Sequence, residues 1–316
     1  MLKYSFKRLL QSFITILIAV TLVFLMMRML PTDYYFTEDQ LMKFTPEQKQ
    51  AALEAAGLLD PIGEQLIRFY GQLLHLDFGT SRRIQSGIAV TRVIGSRLGV
   101  TLRLGAISIA ISWVVGVLVG IAQAAFKGKF VDWLGTAYTV VVNAVPALVT
   151  YSLVLVIGST VFGMPTLYST RNPGPSSVLP IICLSLASVA SYALWMRRYM
   201  VDELTRDYIK LARVKGLSYG QIMLHHVLRN ALVPMVQFLP QSLLLTIQGS
   251  LLMERFFSVP GMGPLLTDAV QRYDTSVVQT LVMFYAALSI VGIFLGDVLM
   301  MLVDPRITIA GKGGER

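Results

Sequence analysis

The sequence predicts an all-α membrane protein with six transmembrane helices and a small helical external segment between the first two. Three observations support this fold class. Of the 316 residues, 54% are hydrophobic and only 14% are charged, which is far from the composition of soluble globular proteins. Six apolar segments are each long enough to cross a bilayer core, which takes roughly 20 residues of helix. The basic residues concentrate in alternate connections between these segments, as is typical of multi-pass membrane proteins.

The predicted spans divide the chain into four parts. The six spans lie at residues 9–30, 101–126, 133–162, 178–196, 236–253 and 276–303. The first starts like a signal peptide, but it stays apolar to Leu30 without a small-residue cleavage site, so we expect it to be retained. The four parts are the N-terminus with the first span (1–30), an external helical segment (31–100), a membrane core (101–306) and a tail (307–316).

The positions of Lys and Arg predict the orientation. The short connections on one side hold fifteen basic residues, seven of them between residues 197 and 229, and those on the other side hold three. Because short cytoplasmic loops are enriched in Lys and Arg, both termini and residues 197–235 are expected in the cytoplasm. The net charge of +9 then reflects membrane topology rather than a nucleic-acid partner. The single cysteine, Cys183, excludes a disulfide within the chain.

Residues 31–100 are too long and too patterned for a simple loop. A helix is predicted at 46–56, because Pro46 stands at a first helical position and Gly57 follows the last. A second is predicted at 62–74, where apolar residues recur at helical spacing. A third, 88–98, mixes apolar residues with Arg92 and Arg97, as in a helix that lies in the membrane interface before the second span.

Residues 197–235 interrupt the apolar pattern and predict two short helices joined by a hinge. One face of the first helix carries Leu204, Tyr208, Leu211 and Ala212. Gly216 stands where a left-handed C-cap is expected. This joint would couple a soluble partner to the fourth and fifth spans.

The second helix is signalled at its start. Ser218 is a predicted N-cap, Gln221 completes a capping box, and Leu217 is placed to pack on Ile222 as a hydrophobic staple. A charged run is often only a solvated loop, and that interpretation stays open. The caps and apolar stripes favour a folded surface that a soluble protein covers.

The stretch from Asp207 to Ser218, followed by His226, Asn230 and Pro234, resembles the cytoplasmic coupling loop of the oligopeptide/dipeptide permease family of ATP-binding-cassette importers. Three more stretches are similar to parts of the first of that family's two permease subunits. These are Gly57-Leu58-Leu59-Asp60-Pro61 with Asp77-Phe78-Gly79-Thr80-Ser81, Glu254 to Gly263, and Asp304-Pro305-Arg306. The likeness covers nearly the whole chain.

The resemblance implies a type I ABC-importer permease fold in a bacterial cytoplasmic membrane. It implies four kinds of partner: a second permease, two cytoplasmic ATPases, an extracytoplasmic peptide-binding protein and the lipid bilayer. ATP and Mg would be bound by the ATPases, since this sequence contains no G-x-x-x-x-G-K-[ST] phosphate loop, and we expect no catalytic residue, cofactor or metal in it. The residues implied in ATPase coupling are Asp207, Tyr208, Lys210, Ala212, Arg213, Lys215, Gly216, Leu217, Ser218, His226, Arg229 and Asn230.

Two other groups are candidate sites. Polar residues within spans are costly and hence functional candidates, and here they are Gln237, Gln241, Gln248 and Asn143. The glutamines are expected either to line a path for the peptide backbone or to hydrogen-bond the second permease. Asn143, together with Pro146, is expected to kink the third span. The stiff stretch after the fifth span is either a plain turn or an external gate that contacts the binding protein. Its candidates are Glu254, Arg255, Phe256, Phe257, Pro260, Gly261 and Gly263.

Other functions remain as alternatives. Related permeases carry nickel or other small solutes. A self-sufficient secondary transporter would be expected to carry paired carboxylates within its spans, and Asp297 is the only deep one here. An intramembrane enzyme is disfavoured because no catalytic pair lies within the spans.

Overall fold

The computed structural model describes residues 2–247 and 249–303, and these residues are mostly helical. The helices are α1 (Leu2–Arg28), α2 (Glu38–Lys43), α3 (Pro46–Ala55), α4 (Ile62–Leu74), α5 (Val90–Ala125), α6 (Phe130–Ala144), α7 (Ala147–Phe162), α8 (Pro173–Ser176), α9 (Val178–Leu204), α10 (Asp207–Val214), α11 (Tyr219–Gln221), α12 (Leu228–Ile247), α13 (Leu251–Phe256), α14 (Met262–Gln271) and α15 (Thr275–Val303). A 3-10 turn precedes α2 and a π-helical stretch, Ile222–Val227, joins α11 to α12.

Three described helical stretches are long and apolar enough to cross a membrane: Val90–Ala125, Pro173–Leu204 and Thr275–Gly292. The pair α6 and α7 passes the same test only as a broken span, and α1 contributes a shorter apolar stretch, Phe13–Arg28. The described residues thus show three such spans, or four with the broken pair, and the number six stays a prediction.

The third predicted span, residues 133–162, is not one helix. It breaks between α6 and α7, whose axes differ by 110°. Val145 is extended at φ −81° and ψ 127°, because a residue that precedes proline disfavours the helical conformation. Pro146 then caps the start of α7. The Asn143–Pro146 sequence had suggested only a kink.

The chain divides into two units, which are described separately. The first contains the described parts of residues 1–99 and 261–290, and the second those of residues 100–260 and 291–308. In the first unit, the helices predicted at 46–56 and 62–74 are present as α3 and α4, and Gly57 is left-handed at φ +62°. The helix α2 was not predicted, although Thr37 and Gln40 form a capping box at its start.

The predicted interface helix at 88–98 is wrong as a separate element. Its residues belong to α5, which runs without a break from Val90 to Ala125. Val90, Val93 and Ile94 are buried in one apolar cluster with Met262 and other residues of α14 and α15. The apolar face of residues 90–98 packs on protein rather than on lipid. This stretch therefore forms the buried first part of α5.

A buried carboxylate at the start of α15 organises the loop at residues 81–84 of the first unit. Asp274 is fully buried, and its Oδ2 accepts a hydrogen bond of 2.6 Å from the Ser81 hydroxyl. The same oxygen accepts from the backbone N–H groups of Arg82, Arg83 and Ile84 at 3.1, 2.9 and 3.0 Å. Four donors converging on one oxygen hold this loop against the first turn of α15.

In the second unit, α5 and α9 approach each other at backbone distance. A Cβ placed on Gly116 would lie 2.9 Å from the carbonyl oxygen of Val189, and one on Gly120 would lie 2.7 Å from that of Ala193. Any larger residue would clash at either position. Small residues four positions apart let membrane helices approach each other closely.

Candidate functional site

The segment 197–235 folds as the end of one long helix, a short helix and the start of another long helix. Helix α9 continues about two turns beyond the predicted span and ends at Leu204, so Leu204 does not belong to the short helix as predicted. Helix α10 starts at Asp207 after the extended residue Arg206. Ile222, Met223 and Val227 are buried, and the predicted second short helix is the first turn of a helical run that continues through the π-helical stretch into α12.

The buried face of α10 agrees with the predicted one at Ala212 and differs from it at Ile209 and Leu211. Ile209 and Ala212 are buried in an apolar cluster with Met196 and Met200 of α9. Leu211, predicted on the inner face, is 56% exposed. Periodicity along eight residues fits several faces, and the packing against α9 and α12 selects the one that contains Ile209.

The hinge has the predicted local structure. Gly216 is left-handed at φ +83°, and its N–H donates to the carbonyl of Arg213 at 3.0 Å. The Ser218 capping box is confirmed, because the Ser218 N–H donates to Gln221 Oε1 at 2.9 Å and the Gln221 N–H donates to Ser218 Oγ at 3.4 Å. Leu217 packs against the cluster that contains Ile222, as a hydrophobic staple requires.

Tyr208 joins the three helical pieces of the segment. Its hydroxyl donates to the Glu203 carboxylate at the end of α9 and accepts from Asn230 Nδ2 in α12 at 2.7 Å. The ring of His226 lies 6.5 Å from the Tyr208 ring. Burial, and then the hydrogen bond to Glu203, raise the pKa of Tyr208, so its hydroxyl stays protonated as a donor at neutral pH. Of the predicted residues, Tyr208, His226 and Asn230 come together, and Tyr208, Arg229 and Asn230 are all exposed.

An exposed apolar surface remains on the outer side of the joint. Leu211 and Val214 of α10 are 56% and 85% exposed, and Tyr219 and Leu224 are 50% and 61% exposed. Basic residues accompany them, since Arg213 and Lys215 are exposed. The ion pair of Lys210 with Asp207 is 2.8 Å long but exposed, and such pairs stabilise little. We refer to Leu211, Val214, Tyr219 and Leu224 as the outer patch.

A salt bridge fixes the base of this joint to α6. Arg197 of α9 donates to Asp132 with both Nε and Nη2, at 2.5 and 2.8 Å. Asp132 Oδ2 also accepts from the Gly128 N–H at 2.9 Å, in the turn between α5 and α6. Asp132 was not among the residues predicted from the sequence. An acidic residue in the first turn of a helix was the available signal.

Replacing Asp132 with Ala is expected to lower the free energy of unfolding by about 2 kcal/mol, because Arg197 would lose its partner while partly buried. Thermal unfolding of the purified chain measures this. The double variant Asp132→Asn with Arg197→Gln should lose less than the single Ala variant, since neither side chain is then charged and unpaired. Equal losses would show that the pair is not coupled.

The predicted path residues are only partly described. Gln237 and Gln241 fall within α12, but their side chains, like the whole of Gln248, lie outside the described residues. Asn143 donates from Nδ2 to the carbonyl of Thr139 in its own helix at 2.8 Å, one residue before α6 ends. Its amide thus serves the end of α6 in this structure.

The residues of the predicted external gate are mostly buried, and their role as a gate or a binding-protein contact stays a prediction. Glu254 is 1% exposed in α13, and its Oε1 accepts from the Thr101 hydroxyl at 2.8 Å. Phe257, Gly261 and Gly263 are buried as well, whereas Phe256 and Pro260 are half-buried. Phe256 and Phe257 pack with Leu104 and Leu179 in an apolar cluster. Arg255 is the exposed member of the group.

Comparison with known proteins identifies the family. Residues 116–309 match the family described as "Binding-protein-dependent transport system inner membrane component". The chain is 33% identical over 310 residues to the dipeptide transport system permease protein DppB of Lactococcus lactis subsp. cremoris (strain MG1363), covering 98% of this chain and 100% of that protein. It is 32% identical over 311 residues to the oligopeptide transport system permease protein OppB of Escherichia coli (strain K12), covering 97% and 99%.

Solved structures agree on the fold. A crystal structure of an amino acid ABC transporter with histidines matches with a TM-score of 0.51 at 18% identity, covering 69% of this chain and 95% of that one. An inward-facing structure of the MetNI methionine ABC transporter matches with a TM-score of 0.52 at 17% identity, covering 67% and 97%. The chain therefore belongs to the family of inner-membrane components of binding-protein-dependent transport systems.

Proposed function

We propose that this chain is one of two permease subunits of an ATP-driven peptide importer and that the outer patch docks on a cytoplasmic ATPase. Its relatives are named for dipeptide and oligopeptide transport, which supports peptides as the substrate. In this proposal six spans place both termini in the cytoplasm. An extracytoplasmic binding protein delivers the peptide, and two ATPases drive the cycle.

The observation that carries the proposal is the outer patch itself. Exposed apolar side chains on a short helix that ends at the left-handed Gly216 favour a protein contact. Helix α10 is held to α9 and α12 by Tyr208, so a force on the patch is passed to two long helices. A partner that changes shape with ATP would thereby move the permease without any catalytic group in this chain.

The double variant Leu211→Glu with Val214→Glu should recover at least tenfold less ATPase when a tagged chain is isolated from membranes. Both side chains are exposed, so the fold is kept while the docking surface becomes charged. Leu59→Glu is the matched control, because Leu59 is also about half exposed but lies far from residues 197–235 in the sequence. Recovery of ATPase at the wild-type level would contradict docking at this patch.

Uptake by cells provides the second test. Uptake of a labelled tripeptide should stop when ATP is depleted and continue when an uncoupler dissipates the proton gradient. Uptake that fails with the uncoupler while ATP is kept constant would instead indicate an ion-coupled transporter. Loss of the chain that leaves uptake unchanged would contradict a peptide substrate.

A further inference from the structure

A polar cavity of about 140 Å³ lies within the first unit, and its lining includes none of the residues of the coupling joint or of the predicted path. Side chains from the end of α1, from α4, from the loop at residues 81–84 and from α15 line it. They include Arg28, Gln65, Arg68, Gln72, Arg82 and Gln279, and the lining contains no acidic residue. A cavity with three arginines and amide side chains favours a ligand that is anionic and forms hydrogen bonds.

The three guanidinium groups are in different states. Arg68 donates to Asp60 at 2.7 Å and is thereby neutralised. Arg82 donates from Nη1 to the carbonyl of Tyr35 at 3.0 Å and keeps its charge, although burial lowers the pKa of Arg82. Arg28 lies over the rings of Phe24 and Tyr35, at 4.9 and 5.3 Å from their centroids. Its Nε and Nη1 are buried and have no hydrogen-bond acceptor among the described residues.

The same cavity also has an acceptor without a donor. Gln65 is only 5% exposed, and its Nε2 donates to the carbonyls of Leu58 and Asp60 at 2.9 and 2.7 Å. Those two hydrogen bonds fix the orientation of the Gln65 amide, and both use Nε2, so Oε1 takes part in neither. It is buried and has no donor among the described residues. Buried polar groups are nearly always paired, and an unpaired one at a cavity indicates a place for a ligand atom.

Unpaired donors and an unpaired acceptor in one cavity restrict the ligand. A phosphodiester group or a chloride ion accepts hydrogen bonds but has no donor to offer Gln65. The C-terminal end of a peptide has both, a carboxylate for the guanidinium groups and a backbone N–H for the amide oxygen. An adjoining cavity of about 230 Å³ shares Gln72, Arg82 and Gln279 and is partly lined by Leu73 and Phe78, which leaves room for a side chain.

We propose that this cavity binds the C-terminal carboxylate of a peptide through Arg28 and Arg82, with Gln65 accepting from the last peptide N–H. The inference rests on the proposed peptide substrate. The site binds the C-terminal end of the peptide, which every linear peptide has. The larger adjoining cavity accommodates the peptide side chains. It therefore suits recognition of peptides irrespective of their sequence.

The test compares a peptide acid with its amide. The full-length chain is purified in phosphatidylcholine nanodiscs, and binding of trialanine and of trialanine amide is measured by saturation-transfer NMR. The acid should bind at least tenfold more tightly, since the amide lacks the negative charge that Arg28 and Arg82 would bind. Arg28→Gln should remove this preference for the acid, and Arg28→Lys should retain part of it.

Two controls test whether the effect is specific to the cavity and whether the variant is folded. Arg92→Gln changes an exposed arginine of the same unit that does not line the cavity, and it should leave both affinities unchanged. The melting temperature of Arg28→Gln shows whether that variant is folded. If it is not, Gln65→Glu replaces the acceptor amide with a carboxylate and should weaken binding of the acid more than binding of the amide.

Three results would overturn the inference. One is equal binding of acid and amide by the wild-type chain, and another is an acid preference that persists in folded Arg28→Gln. The third is displacement of trialanine by millimolar inorganic phosphate or by phosphatidylglycerol in the nanodisc, which would assign the cavity to phosphate groups. Any of these leaves the proposed function intact if tripeptide uptake still requires the chain and ATP.

Discussion

Replacing Gly216 with Val should reduce ATP-driven uptake by about tenfold while the amount of chain in the membrane stays unchanged. Gly216 is left-handed at φ +83°, and an ordinary residue pays roughly 1–2 kcal/mol in that conformation. A Cβ at Gly216 meets no atom within 4 Å, so the expected loss comes from the backbone alone and not from a clash. A penalty of about 1.4 kcal/mol lowers the population of the docking geometry tenfold. Transport assays and quantitative blotting of membranes measure the two quantities.

Two further substitutions make this expectation specific. Gly220→Val introduces the same side chain four residues later, where the glycine is also surrounded by open space but the backbone is helical, so uptake should be kept. Gly216→Asn should restore much of the activity, because asparagine tolerates the left-handed region better than valine. Normal uptake by Gly216→Val would show that the hinge angle does not limit coupling.

Replacing Asp274 with Ala should destabilise the first unit by about 3 kcal/mol or more. The change removes the one oxygen that accepts from Ser81 and from three successive backbone N–H groups, and buried donors that lose their acceptor are costly. We expect a lower melting temperature and faster cleavage by protease at residues 81–84. Loss of this loop would also displace Arg82 from the proposed peptide site.

The melting temperature of Asp274→Asn should lie between those of the wild type and of Asp274→Ala, because the amide oxygen of asparagine can still accept hydrogen bonds. Asp77→Ala is the matched control. Asp77 is an exposed carboxylate of the same unit that accepts a single backbone bond from Gly79 at 3.0 Å, so its loss should barely change the melting temperature. A melting temperature of Asp274→Ala equal to that of Asp77→Ala would contradict the organising role of Asp274.

The elements that the sequence predicted well are those with local signals. The hinge was predictable because Gly216, Ser218 and Gln221 specify caps within six residues of one another. Helix α3 was predictable from Pro46 and Gly57 for the same reason. Helix α2 carries an equal capping signal in Thr37 and Gln40, but its six residues are too few to show an apolar periodicity.

What the sequence did not reveal depends on contacts between distant residues. The inner face of α10 is chosen by α9 and α12, and hence Ile209 rather than Leu211 is buried. The partner of Arg197 lies 65 positions away at Asp132. The cavity around Arg28 brings together residues separated by up to 251 positions, from Arg28 to Gln279, and no periodicity along one helix encodes such a group.

The glycine contacts between α5 and α9 restrict how this subunit changes shape. At Gly116 and Gly120 the backbone of α5 lies directly against α9, so no side chain of α5 separates the two helices at these positions. Sliding or opening at this seam would separate surfaces that fit at atomic distance, and membrane helices gain their association from such contacts. We therefore propose that α5 and α9 move together as one rigid block when this subunit changes shape.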